Sequence, residues 1–108
     1  MSDHPTAIFF GNDHTAAHGY RAIKAAGLRI PEDVSVVGFD DDPLCRWLDP
    51  QLSTVKQPSL EIGRAAMEML LALPEGRPAP ADAASASLTV PTHWTPRASI
   101  GHLPGGSR

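Results

Sequence analysis

Three consecutive carboxylates, Asp40, Asp41 and Asp42, follow an apolar run and are closed off by Pro43. A carboxylate at the mouth of a crevice can accept two hydroxyl groups, and an amide such as Asn12 offers both a donor and an acceptor. Together they suit a polyol. The spacing alone equally permits Asn12 and Asp13 to do no more than cap a helix while Asp40 to Asp42 shape a polar turn. Three carboxylates can also hold magnesium beside a phosphate, but no glycine-rich phosphate loop accompanies them. His14 and His18 stand at i, i+4, the spacing of a helical metal pair. Arg21 shares that face and disfavours a further cation, so these residues read as a solvated or subunit-facing surface. Cys45 has no motif partner and reads as a packed thiol. No catalytic residue, metal site or cofactor is expected.

The elements that must position these residues are short. Val34, Val36, Val37 and Phe39 form an uncharged β-branched and aromatic run, the pattern of a strand covered on both faces. Gly38 permits a turn or a close backbone approach near the carboxyl end of that strand, where ligands bind in open α/β sheets. Thr6 to Phe10 reads as a second buried strand, bounded by Pro5 and Gly11. A helix follows, with Asp13 as its expected N-cap, Ala16, Tyr20 and Ile23 on its covered face, Lys24 near its negative end and Gly27 just past its close. Thr6 to Phe39 is therefore one β-α-β unit with a right-handed crossover.

Beyond the aspartates, Leu44 to Leu52 reads as an ordered loop or short helical turn that presents apolar side chains. Ser53 to Lys56 reads as a short strand. Pro58 and Ser59 open a second helix, whose stripe of Ile62, Ala66, Met69, Leu70 and Leu73 is expected to be buried. The Ala-, Pro- and Ser-rich span to Ala86 is a surface connection. Ser87 to Val90 and His93 to Thr95 read as short edge strands limited by Pro91 and Pro96, and fraying is expected from Gly101.

Composition bounds what these elements can serve. The 108 residues are 42% hydrophobic and 19% charged, with a formal charge of -3, which fits one soluble domain or a piece of a larger one. Nine basic against twelve acidic residues leave no footprint for a nucleic-acid backbone, so specific DNA binding by this chain is not expected. The single cysteine forbids an intrachain disulfide, and no long apolar span or signal peptide is visible. A reducing cytoplasm is expected, with no membrane partner. Strand character begins at Thr6 without a lead-in, so Met1 to His4 read as an arbitrary start and the chain as a fragment.

Several stretches together resemble the LacI/GalR family of bacterial transcription regulators. They are Pro5-Thr-Ala-Ile-Phe with Asn12-Asp13, Gly27-Leu-Arg-Ile-Pro-Glu-Asp-Val-Ser-Val-Val-Gly-Phe-Asp-Asp41, Leu52-Ser-Thr-Val-Lys-Gln-Pro58, Gly63, and Arg97-Ala-Ser99. The resemblance covers roughly Pro5 to Ser99. It implies the carboxyl-terminal part of a periplasmic-binding-protein-like type I effector domain, a doubly wound parallel α/β fold in two lobes. Residues 5-56 would then be a second-lobe β-α-β segment. Residues 57-90 would cross to a first-lobe helix and strand, 91-100 would return, and 101-108 would fray.

The resemblance also implies that Asn12, Asp40 and Gln57 contact a sugar, nucleoside or related effector, while Asp41 and Asp42 are turn or structural carboxylates. It places Ala17, Arg46, Trp47 and Leu48 at a homodimer interface, and it implies DNA contact only through an amino-terminal helix-turn-helix not present in these residues. A transport-type sugar-binding protein or a small α/β enzyme using the same crevice is the alternative.

Overall fold

In the computed structural model, residues 3-73 and 88-102 are described. Strand β1 (Ala7–Phe9) runs into helix α1 (Asp13–Ala25), and strand β2 (Ser35–Val37) returns parallel to β1 with Ile8 opposite Val36. A 3-10 turn (Pro43–Arg46) follows, then β3 (Thr54–Lys56), helix α2 (Ser59–Ala72) and β4 (His93–Thr95). Strand β4 pairs antiparallel with β3. Isolated parallel bridges, Val37 to Ser53 and Asp40 to Lys56, tie the β1-β2 ladder to the β3-β4 ladder. The element types match the α/β expectation, with parallel pairing around β2.

Helix α1 begins where Asn12, in extended conformation, accepts the Thr15 amide hydrogen on its side chain at 2.8 Å. The cap is therefore Asn12, a correction to the assignment of Asp13. Both residue types can satisfy an orphan amide, and here Asp13 is the first helical residue and is completely buried. At the other end the Ala26 amide closes on Ala22, and Gly27 takes a φ of 81°, which a residue without Cβ adopts at little cost. The face formed by Ala16, Tyr20 and Ile23 packs with Ile30, Val34, Val36, Cys45 and Leu52 into one core. The Tyr20 hydroxyl donates to the Pro50 carbonyl at 2.8 Å, so the one polar tip on this face is satisfied.

Strand β1 is less covered than the sequence predicts. Its Ile8 is half-buried while Phe9 is 66% exposed, because β1 ends the ladder and pairs only with β2 among the described residues.

The chain divides into two compact units, one made of residues 1-57 and 93-108, the other of 58-92. In the second unit, α2 has no buried residue, and Leu70 and Leu73 are exposed. The apolar stripe expected to be buried is thus open among the described residues. Among the described residues of that unit, Leu88 and Val90 border Ile62, Ala65, Ala66 and Met69. Leu88 to Val90 forms no strand, another correction, since only irregular backbone leads there into Pro91, which has no N–H to give. Ser87 and the connection at residues 74-86 lie outside the described residues, as does the tail at 103-108. At Gly101, where fraying is expected to begin, the amide donates to Ser35 Oγ at 3.0 Å.

Candidate functional site

The site grows out of a polar hub under the carboxyl end of β2. Gly38 has no side chain, and Asp13 occupies the space a Cβ there would need. That vacancy admits the Asp13 carboxylate into the interior. Its Oδ1 accepts the Thr54 hydroxyl at 2.8 Å, and its Oδ2 accepts the Asp42 amide at 2.7 Å. The Asp13 amide in turn donates to the Phe39 carbonyl. One carboxylate thus fastens the start of α1 to β3 and to the chain after β2. A buried charge is tolerable only with such partners.

The three aspartates diverge from this point. Asp40 and Asp41 have φ values of 121° and 62°, a region that side chains other than glycine occupy at a cost of roughly 1-3 kcal/mol each. The Asp40 amide donates to the Val55 carbonyl at 2.8 Å, and its exposed carboxylate accepts Gln57 Nε2 at 2.6 Å. Asp41 turns the other way, into an ion pair with Arg97 at 2.7 Å in which the side chains are 10% and 11% exposed. Asp42 caps the 3-10 turn through the Leu44 amide at 2.9 Å and meets His14 Nε2 at 3.2 Å. The alternation of faces lets three like charges sit in sequence without sharing a space.

Of the three residues expected to contact an effector, Asp40 and Gln57 are in direct hydrogen bond. Asn12 joins them through the backbone, since it precedes Asp13 and Asp40 follows Phe39 across the Asp13 to Phe39 bond. Its side-chain oxygen is occupied by the Thr15 amide, so its amide hydrogens are what it can offer. The arrangement presents one carboxylate and two amides, a set that can bind hydroxyl groups in fixed directions.

Of the residues expected at an interface, Trp47 is 82% exposed and does not cover its own core. Arg46 is exposed, Ala17 is half-buried, and Leu48 packs partly against the core cluster. His14 and His18 do not converge on a common ligand set; among the described residues no group of three potential metal ligands occurs. Cys45 is fully buried, and burial first, then the hydrogen bond and charge of Asp13, push its thiol up to about 12.

Arg97 is the residue the sequence reading passed over. Beyond Asp41, its Nη1 donates to the Leu52 carbonyl and its amide to Ser53 Oγ, both at 2.8 Å. Ser99 continues the seam by accepting the Ser53 amide and donating to the Val36 carbonyl. The only trace in the sequence was Arg97-Ala-Ser99, a stretch without visible chemistry.

The parallel β-α-β unit, with polar side chains beyond its strand ends, is an α/β arrangement. The sequence pattern of the periplasmic binding protein-like domain matches residues 1-100. The ribose operon repressor of Haemophilus influenzae is 50% identical over 71 residues, 66% of this chain and 21% of that protein. A LacI family transcriptional regulator from Arthrobacter sp. FB24, solved in complex with lactose, is 38% identical with a TM-score of 0.73 over 89% of this chain and 35% of that chain. The lac repressor dimer bound to operator and an anti-inducer is 33% identical with a TM-score of 0.76, over 89% of this chain and 32% of that chain. The chain belongs to the periplasmic binding protein-like family and, within it, to the effector-binding domain of LacI/GalR regulators. It spans about a fifth of the length of the curated relatives it matches.

Proposed function

We propose that this chain is the effector-sensing and dimerisation part of a LacI/GalR-type regulator, which reads a sugar or related polyol and acts on DNA through a separate amino-terminal helix-turn-helix. The hydrogen bond from Gln57 to a conformationally constrained Asp40 carries this reading. A ligand-binding carboxylate gains from being held in place beforehand, since little ordering cost remains when the ligand arrives. Gln57 satisfies one oxygen of Asp40, and a pair of sugar hydroxyls would share or replace that partner. Asn12 would donate from its amide. The first unit belongs in this reading to the second lobe of the effector domain, and residues 58-92 to the first. Ala17, Arg46, Trp47 and Leu48 would form the dimer contact. A regulator of this kind works in the cytoplasm beside its operator and catalyses nothing.

The test is a calorimetric titration of D-ribose and of lactose into the intact regulator and its Asp40→Ala variant. Hydrogen bonds to a charged acceptor contribute about 1.5-3 kcal/mol each, so Asp40→Ala should weaken the sugar that binds by on the order of a hundredfold. Its melting temperature should stay near that of the wild type, because Asp40 is exposed. Wild-type affinity in the variant, or no sugar response in the wild type, would refute the polyol site.

A further inference from the structure

We propose that Arg97 is a positioning residue for the effector carboxylate: by holding Asp41 on the buried side of the turn, it keeps Asp40 facing its ligand. This rests on Asp40 being the effector contact. Two consecutive non-glycine residues at positive φ are a costly backbone segment that persists only when its surroundings fix it. The backbone anchors here are the Asp40 amide on Val55, the Asp42 amide on Asp13 and the long Asp41 amide contact to Thr54 Oγ1 at 3.3 Å. Among the described residues, the side chain of Asp41 has one charged partner, Arg97.

That guanidinium is itself fixed. It reaches the Leu52 carbonyl with its second nitrogen while its own backbone amide is tied to Ser53 Oγ, so the fork cannot follow Asp41 if the turn relaxes. A planar, multiply bonded guanidinium transmits position in a way a lysine ammonium does not. Without it, Asp41 would be a carboxylate beside two others, drawn toward water on the face that Asp40 uses. Asp40 and Asp41 share a peptide plane, so a rotation that frees Asp41 also re-aims the Asp40 side chain and releases Gln57. Arg97 does not bond the effector residues, and its influence on them runs through Asp41.

A double-mutant cycle in the intact regulator separates positioning from general support. Arg97→Lys should weaken the sugar that binds, D-ribose or lactose, by about tenfold, and should have no further effect on affinity in an Asp40→Ala background. Its effect on melting temperature should be the same in both backgrounds. An equal affinity loss in the two backgrounds would overturn the proposal, and so would no loss in either. Asp41→Asn, which keeps the shape and removes the ion pair, gives a second route should Arg97→Lys fail to fold. Crystal structures of the variants read the same point without any sugar. Asp40 should leave the positive-φ region and lose the Gln57 hydrogen bond, whereas an unmoved Asp40 would overturn the positioning role. Unchanged sugar affinity in Asp40→Ala alone would instead sink the polyol site itself.

Discussion

Asp13, Asp40, Asp41 and Asp42 are one residue type with four environments, and their environments assign their work. Asp13 is completely buried and doubly hydrogen-bonded, Asp41 is paired with Arg97, Asp42 caps a turn, and Asp40 alone stands exposed with an amide for company. Cys45 and Tyr20 show the same dependence on surroundings. Burial is the leading cause that raises both, to about 12 from 9.0 for the thiol and 10.0 for the phenol. The folded protein therefore keeps protons that the unfolded chain releases. The contribution of these two groups to stability is fully present below about pH 9 and falls as the pH rises through the interval to about 12. Urea midpoints measured across this range should decline with pH, and Cys45→Ala should flatten the decline. A slope unchanged by that substitution would mean the thiol ionises equally in both states.

At the scale of elements, the critical contact is the approach of β2 to α1 at Gly38. Added bulk there meets the Asp13 side chain and comes within 3.0 Å of Leu52 Cδ2. Overpacking costs roughly 1-3 kcal/mol, and Gly38→Ala should reach the upper end, since displacing Asp13 also strands the Thr54 hydroxyl and the Asp42 amide. Thermal melting would read this as a lowered Tm, and a wild-type Tm would mean that the two elements separate freely. Much of the element plan was legible beforehand. Val34 and Val36 announced the buried part of the central strand, and Gly27 marked the end of α1. The choice of cap was not legible, because Asn12 and Asp13 are adjacent and equally able to serve. What decides between them is the space beside Gly38 and a threonine 41 residues further on. Local pattern carries no information about such a partner. Arg97 was invisible for the same reason, as its carboxylate lies 56 residues earlier.

For the whole molecule, the observation that matters most is Trp47, a large aromatic side chain standing 82% exposed beside exposed Arg46. Trp and Arg are enriched where interfaces are made. Trp47→Ala should shift the sedimentation of the intact regulator toward monomer while leaving its circular dichroism unchanged, because the indole supports no core of its own. A dimer unaffected by the substitution would place the self-association surface elsewhere.

The seam formed by Arg97 and Ser99 also governs when the site can come into being. Ser99 closes on Val36 and Ser53 across 63 and 46 residues, and Arg97 reaches Asp41 across 56. Contacts this distant in sequence must wait for the intervening chain, and they slow folding by the closure entropy they demand. On a ribosome, β1, α1 and β2 can emerge and meet while the aspartate turn still lacks its clamp. On the proposed roles of Asp40 and Arg97, the turn would reach its final form only after Ser99 has cleared the exit tunnel, and competence for an effector would come with it. A nascent chain stalled before that residue would carry every proposed ligand contact, Asn12, Asp40 and Gln57, yet lack the Ser99 bonds to Val36 and Ser53.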